Sequence, residues 1–367
     1  MQNQKNIFGL DFMRAVAILM VLSSHSLLLF DTFYFKGIEI FHFFGFFGVE
    51  IFFVLSGFLI GNILYKNYLL ETFSFKSLKT FWMRRWLRTF PNYFLALFIN
   101  LFLAFFVWEN IPKRIWSYFL FLQNSTTQPE FFNESWSITI EEYAYILFPI
   151  CLILLIKKSN KNISFLLATI FLLLVFLFTK WYFHSNFSQN NLNHWNINLK
   201  AVLWYRIDAI IYGVLGAWIV NNYNSLMYKF RIQLLLIGLI FVSFLLFGIG
   251  FFKLTIQNYP LFWNVFYLPI TSLSIFFSLP FFNSWSTFNS IFKKPIVLIS
   301  KISYSIYLFH YYILLYLYRI IFEKYINKPF ESIIYIFGYL SLVFMVSYLI
   351  YNYYEKPILK WRDKNYL

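Results

Sequence analysis

Residues 10–30 read LDFMRAVAILMVLSSHSLLLF, and this stretch decides the fold. It is one apolar run long enough to cross a bilayer, whose hydrocarbon core is about 30 Å thick. Two ionisable residues interrupt it. Arg14 sits at its near edge and His25 eleven residues further on. At about 1.5 Å of rise per helical residue the imidazole lies roughly 16 Å deeper than the guanidinium. The arginine is thus expected at one membrane face and the histidine near the middle. An ionisable side chain inside lipid costs at least ~2.5–3.5 kcal/mol on insertion scales, so such residues mark function by default.

The rest of the chain extends the same pattern. Of 367 residues 60% are hydrophobic and 12% charged, against about 25% charged in an ordinary globular chain. The deficit runs along the whole length, which predicts a polytopic membrane protein. Some of the 52 Phe, 28 Tyr and 12 Trp are expected in interfacial belts; codon bias in an AT-rich genome accounts for the excess equally well. The net charge of +15 would suggest nucleic acid in a soluble protein. Here the basic residues fall between apolar runs, and neither a glycine-rich phosphate loop nor a nucleic-acid module is present. Cys151 is the only cysteine, which excludes an internal disulfide and a cysteine metal cluster. No small-residue cleavage site precedes Arg14, so the first span is expected to remain as a signal-anchor.

Hydropathy predicts about ten spans: residues 10–30, 43–64, 91–108, 136–156, 163–183, 202–220, 232–252, 261–282, 296–317 and 332–351. The expected fold is all-α, one transmembrane domain over residues 1–367, with no repeat and no separate soluble domain. Placing both termini in the cytoplasm gives internal segments Lys5, the six basic residues from Lys66 to Arg88, Lys157, Lys158, Lys161, Lys229, Arg231, Lys293, Lys294, Lys356, Lys360, Arg362 and Lys364. External segments then hold Lys36, Lys113, Arg114, Lys180, Lys200, Lys253, Arg319, Lys324 and Lys328, a two-to-one bias in the required direction.

Several polar residues need an account. The stretch from Lys66 to Pro91 alternates apolar and basic residues and reads as an interfacial helix on an anionic leaflet. Arg85 and Arg88, three apart on one helix face, join Arg14 in a prospective cationic cluster suited to phosphate oxygens. The second span holds Glu50, which should face the bundle interior, and Ser56-Gly57, which suit close helix packing. The fourth opens with Trp136-Ser137 and carries Glu141-Glu142 about 8 Å further in. Adjacent helical residues diverge by about 100°, so one carboxylate at most faces a shared cavity. Arg206 and Asp208 read as a local, structural ion pair, and His310 in the ninth span as a satisfied core histidine. Trp181, Trp195 and Trp204 read as belt residues.

At this point the chain resembles the acyltransferase-3 family of integral membrane acyltransferases. LDFMRAVAILMVLSSH carries its arginine, ten residues, histidine signature in Arg14 and His25. GVEIFFVLSGFLIG resembles its Gly-Val…Phe-Phe…Ser-Gly-Phe-Leu-Ile motif, and RRWLRTFP its Arg-x-x-Arg element before a proline, here Arg85 and Arg88. WSITIEEYAYILFP resembles its Trp-Ser-Leu…Glu segment in Trp136, Ser137 and Glu141, with Ile138 where leucine is usual. YRIDAIIYG and SYSIYLFH resemble two later motifs. The ordered set covers nearly the whole chain.

The resemblance implies transfer of an acyl group, most often acetyl, from acyl-CoA to a hydroxyl of a bacterial cell-surface carbohydrate. It implies location in the cytoplasmic (inner) membrane, acetyl-CoA as co-substrate rather than resident cofactor, and membrane lipids as surroundings. Some relatives carry a hydrolase-like domain after the last span; with none in this chain, such a step would need a periplasmic partner protein. Arg14, Arg85 and Arg88 would hold the CoA phosphates. His25 would be general base or acyl carrier, and Glu141 would orient His25 or the acceptor. Glu50, Ser56, Trp136, Ser137, Asp208 and His310 would lie near the site. The competing expectation is a transporter or flippase of lipid-linked sugars, which would show interrupted inverted repeats and would release no CoA.

Overall fold

The computed structural model describes residues 7–30, 39–69, 73–108, 112–154, 160–186, 191–322 and 329–366. Among them ten helices are long and apolar enough to cross a membrane: α1 Phe8–Leu29, α2 Ile40–Leu69, α3 Phe75–Phe106, α4 Ser135–Leu154, α5 Lys161–Asn186, α6 Leu203–Asn222, α7 Arg231–Phe251, α8 Phe262–Ser284, α9 Lys293–Phe322 and α10 Ile334–Asn365. No strand occurs among the described residues. Helices satisfy their own backbone groups, which is what a chain in lipid requires. Each expected span has its helix, so the fold class is as the sequence predicts. Lys5, Lys36, Lys157, Lys158, Lys324 and Lys328, part of the charge count above, lie outside the described residues.

Two boundaries differ from expectation. The basic stretch is not a separate interfacial helix: it is the first part of α3. A capping box starts that helix, with the Ser77 N–H donating to Ser74 Oγ and the Ser74 N–H to Ser77 Oγ. The helix then runs through Pro91, whose missing donor costs about 3 kcal/mol in an unsupported helix. Hydrogen bonds to neighbouring helices hold both flanks. Trp82 Nε1 donates to the Tyr145 carbonyl at 2.9 Å, Tyr304 Oη to the Thr89 carbonyl at 2.8 Å and Tyr354 Oη to the Pro91 carbonyl at 3.3 Å. The second difference is the tail. α10 continues through a π-helical segment, Tyr351–Glu355, into residues 356–365, which pack on α3. Arg84 Nη1 donates to the Tyr366 carbonyl at 2.8 Å.

α2 packs against α1, α4, α6 and α8; α1 also packs on α9, and α3 on α4, α9 and α10. Helices α1, α2, α4, α3 and α9 therefore form a ring. α7 lies outside it against α8, little buried. The α2–α6 contact is the closest approach: a Cβ on Gly57 would strike the Ile210 carbonyl, and one on Gly213 the Val54 carbonyl. This is the small-residue packing expected of Gly57.

At the far end of the ring two connecting segments knit together. Asn124 Nδ2 donates to the Trp136 and Ala201 carbonyls at 3.0 and 2.7 Å, and the Gln128 N–H to the Ile197 carbonyl at 2.8 Å. Phe121 (φ 55°) and Phe132 (φ 46°) turn this loop in the left-handed region, a conformation that costs a non-glycine residue about 1–2 kcal/mol. Both rings are buried, which offsets that cost. Trp195 is core rather than belt, since its ring is buried and Nε1 donates to the Trp263 carbonyl at 3.0 Å. Trp181 and Trp204 are exposed.

Candidate functional site

One end of the ring is cationic. Arg14, Arg85 and Arg88 lie within electrostatic reach of one another, and Arg362 joins them from the end of α10. Arg14 Nη1 donates to Asp11 Oδ1 at 3.1 Å, and Ser300 Oγ of α9 donates to the same oxygen at 2.7 Å. Asp11 thus orients the first arginine. The Arg85 guanidinium lies 5.9 Å from the ring centroids of both Phe81 and Tyr145. Arg88 is exposed. The cluster expected from sequence is assembled: Asp11 pairs with Arg14 and Asp363 with Arg362, while Arg85 and Arg88 have no salt bridge among the described residues.

Deeper in the ring, α2, α3 and α4 meet through Tyr145. Its hydroxyl donates to Glu141 Oε2 at 2.7 Å and accepts the Ser56 hydroxyl at 2.5 Å. Glu141 accordingly makes no hydrogen bond to His25; the orienting role expected of it toward His25 is not what the geometry shows. The adjacent Glu142 points elsewhere and accepts from Thr89 Oγ1 at 2.8 Å, as the 100° divergence requires. Ser137 Oγ donates to Tyr307 Oη at 2.7 Å, and Trp136 sits edge-on to Phe53.

The histidine of α1 meets the histidine of α9. His25 Nδ1 lies 2.7 Å from His310 Nε2, and the rings stack with centroids 4.9 Å apart. Tyr311 closes over His25 at 4.5 Å. His310 is fully buried and so is a core histidine, as expected, but its partner is the candidate base. It begins a π-helical segment, His310–Leu315; such bulges inside α-helices frequently occur at functional sites. The opened backbone is held twice. His310 Nδ1 lies 2.8 Å from the Tyr307 carbonyl, and the Tyr312 N–H donates to Glu134 Oε1 at 3.1 Å. Glu134 is buried just before α4, and burial pushes its carboxyl up to about 8. From the end of the ring opposite the arginines the charge of Lys200 reaches His25. Its ammonium lies 5.8 Å from the Phe46 ring centroid, and burial pulls it down to about 8.

A second set of buried charges is self-contained. Arg206 and Asp208 do not pair locally, as the sequence suggests. Arg206 reaches Glu50 on α2, and Asp208 pairs with Lys180 on α5. Residues two apart on a helix point about 200° apart, so each charge finds its counter-ion on another helix. Ser272 Oγ also donates to Glu50 Oε2 at 3.2 Å. Glu50 faces the interior, as expected.

Sequence reading missed Tyr145, Tyr311, Glu134 and Lys200. Tyr145 stands four residues after Glu141, the spacing of helical neighbours, and Tyr311 follows His310 directly. Those two were within reach of a pattern argument. Glu134 and Lys200 lie in connecting segments whose packing no periodicity reveals.

A family model described as an acyltransferase domain matches residues 7–352. A Staphylococcus aureus (strain COL) protein that provisionally bears the name O-acetyltransferase is 26% identical over 84% of this chain and 51% of its own. An uncharacterised Haemophilus influenzae protein is 31% identical over 48% of this chain and 76% of its own. The peptidoglycan O-acetyltransferase OatA of Listeria monocytogenes is 28% identical over 46% of this chain and 27% of its own. The chain spans about half the length of the first curated relatives it matches. No solved structure matches it.

Proposed function

The chain belongs to the acyltransferase-3 family, and on that premise we propose that it moves an acyl group, acetyl in the first instance, from cytosolic acyl-CoA to a hydroxyl of an exported carbohydrate. The observation that carries the proposal is the course of α1, which runs from the arginine cluster to a histidine with one ring nitrogen free of hydrogen bonds among the described residues. The basic bias of the segments at the arginine end supports a cytoplasmic orientation for that end, in the inner membrane of a bacterium. The donor carries phosphates, and guanidinium forks bind phosphate oxygens in two-bond geometry.

In the reaction the acceptor oxygen attacks the thioester carbonyl while His25 takes the hydroxyl proton. The carbon–sulfur bond then breaks, and the departing CoA sulfur receives that proton from His25. One ester and one thiol result, with no other reactant. General-base catalysis of this kind supplies about 10²–10⁴-fold. The relatives' names support O-acetyl transfer, and the Listeria relative's name supports a glycan acceptor.

The test uses membranes given labelled acetyl-CoA. The wild type should release CoA and label a surface glycan. His25→Ala should insert and fold normally yet lose at least about 10²-fold of the transfer. A His25→Ala protein that transfers at the wild-type rate overturns the proposal, and so does a wild type that moves sugar without releasing CoA.

A further inference from the structure

The two histidines are not equivalent, and their backbone contacts say which does what. His310 Nδ1 lies 2.8 Å from the Tyr307 carbonyl oxygen and 3.0 Å from that of Ile306. Carbonyl oxygens only accept, so Nδ1 carries the proton. In the neutral ring Nε2 then holds a lone pair. That lone pair faces His25 Nδ1 at 2.7 Å, and two lone pairs cannot share such a distance. With both rings neutral, His25 Nδ1 therefore carries its own proton and donates to His310. This leaves His25 Nε2 as the basic nitrogen, and among the described residues no hydrogen bond occupies it. The groups around the pair do not change the assignment. Lys200 and His42 reach His25 only through space. Glu134 bonds the Tyr312 N–H rather than either ring.

We propose that His310 is the positioning residue of the reaction: it fixes the tautomer of His25 so that Nε2 faces the acceptor hydroxyl, and it holds the imidazolium that forms when His25 takes the proton. The inference rests on the reading of His25 as base. In the proton-transfer step the oxygen–hydrogen bond of the acceptor breaks and a nitrogen–hydrogen bond forms at His25 Nε2. His25 then has two N–H groups, and its Nδ1–H bond to His310 becomes charge-assisted, which strengthens it. His310 keeps its one proton throughout and receives none. A neutral acceptor nitrogen in this place does the work that a carboxylate does in the triads of soluble hydrolases, without adding a charge to an apolar span. The π-helical turn has a part in this. The Tyr312 N–H, whose α-helical acceptor is the Leu308 carbonyl, donates to Glu134 Oε1 instead, and this holds the turn that carries His310.

Two substitutions separate positioning from support of the bulge. In His310→Gln the amide oxygen reaches the place of Nε2 and can accept from His25, while the donor to Tyr307 is lost. In His310→Asn the amide nitrogen reaches the place of Nδ1 and keeps the bond to Tyr307, while the acceptor toward His25 is lost. The Gln variant should hold kcat within about tenfold. The Asn variant should lose about 10²-fold in kcat with KM for acetyl-CoA unchanged, within the ~10²–10⁴ a general base supplies. If the role were structural the order would reverse, and an Asn variant more active than the Gln variant overturns the inference. Should both variants misfold, the wild type decides. The chain has five histidines, so ¹⁵N-histidine spectra of the detergent-solubilised protein are sparse. His25, assigned by its loss in His25→Ala, should show a protonated Nδ1 and a bare Nε2; the opposite tautomer overturns the inference. An inactive His25→Ala beside a fully active His310→Asn would end this inference and leave the proposed function standing.

Discussion

Two sets of buried polar groups lie within one bundle, and they differ in whether they are closed. Around α6, Glu50 meets Arg206 and Asp208 meets Lys180, so each charge has its opposite within the protein. Along α1 the accounts stay open. Among the described residues Arg85 and Arg88 form no salt bridge, and His25 keeps one nitrogen without a hydrogen bond. Both sets are costly to hold in lipid. The closed set returns that cost as fold. The open set does not, and on the proposed function its atoms would meet phosphate at one end and a hydroxyl proton at the other.

The strongest way to break this comparison is to open the closed set. Glu50→Ala strands the fully buried Arg206 guanidinium, and removing one partner of a buried pair costs about 3–5 kcal/mol. The folded, monodisperse fraction after detergent extraction should collapse. The double variant Glu50→Ala with Arg206→Met should recover much of it, because neither charge then remains. By contrast His25→Ala should extract like the wild type. If Glu50→Ala extracts normally and only loses transfer, Glu50 belongs to the open set and the division fails.

A smaller effect is expected at the cationic end. Arg85→Gln and Arg88→Gln each remove charge-assisted bonds to phosphate, worth about 1.5–3 kcal/mol apiece. KM for acetyl-CoA should rise about tenfold or more in each, with kcat nearly kept. An acetyl thioester of N-acetylcysteamine, which has no phosphate, should be used equally by wild type and arginine variants, though still not by His25→Ala. Equal losses on both donors would mean that the arginines support the fold instead.

How much of this was legible beforehand follows from the range of each interaction. The ten spans were readable because lipid acts on each apolar run separately. Arg14, His25, Arg85 and Arg88 were readable because they interrupt such runs at helical spacings. The helix through Pro91 was not, since what carries it past the proline comes from Tyr304, more than two hundred residues away. The partners of Arg206 and Asp208 were misread for the same reason: the nearest charge in sequence is not the nearest in a bundle. His310 was readable as buried but not as a partner of His25. That contact joins α1 to α9 and depends on a local π-helical turn.

Glu134 sharpens the comparison because it stands between the two kinds. One oxygen accepts the Tyr312 N–H, and the other has no hydrogen-bond partner among the described residues. Its folded carboxyl is pushed up to about 8 from an ordinary 4.5. The folded state therefore binds more protons than the unfolded state between those values. Stability should be greatest below about pH 4.5, fall as the pH rises through the window, and reach its floor above about 8. Each unit of that separation is worth about 1.4 kcal/mol. Glu134→Gln keeps an oxygen for the Tyr312 N–H and has nothing to ionise. Its melting temperature in detergent should lose this dependence between pH 5 and 8 and exceed that of the wild type at pH 9. Acetyl transfer at pH 7 should change by less than about threefold, since the neutral carboxyl and the amide anchor the π-helical turn alike. A large loss of transfer at unchanged stability would instead place Glu134 with the open set, as a group that touches the acceptor.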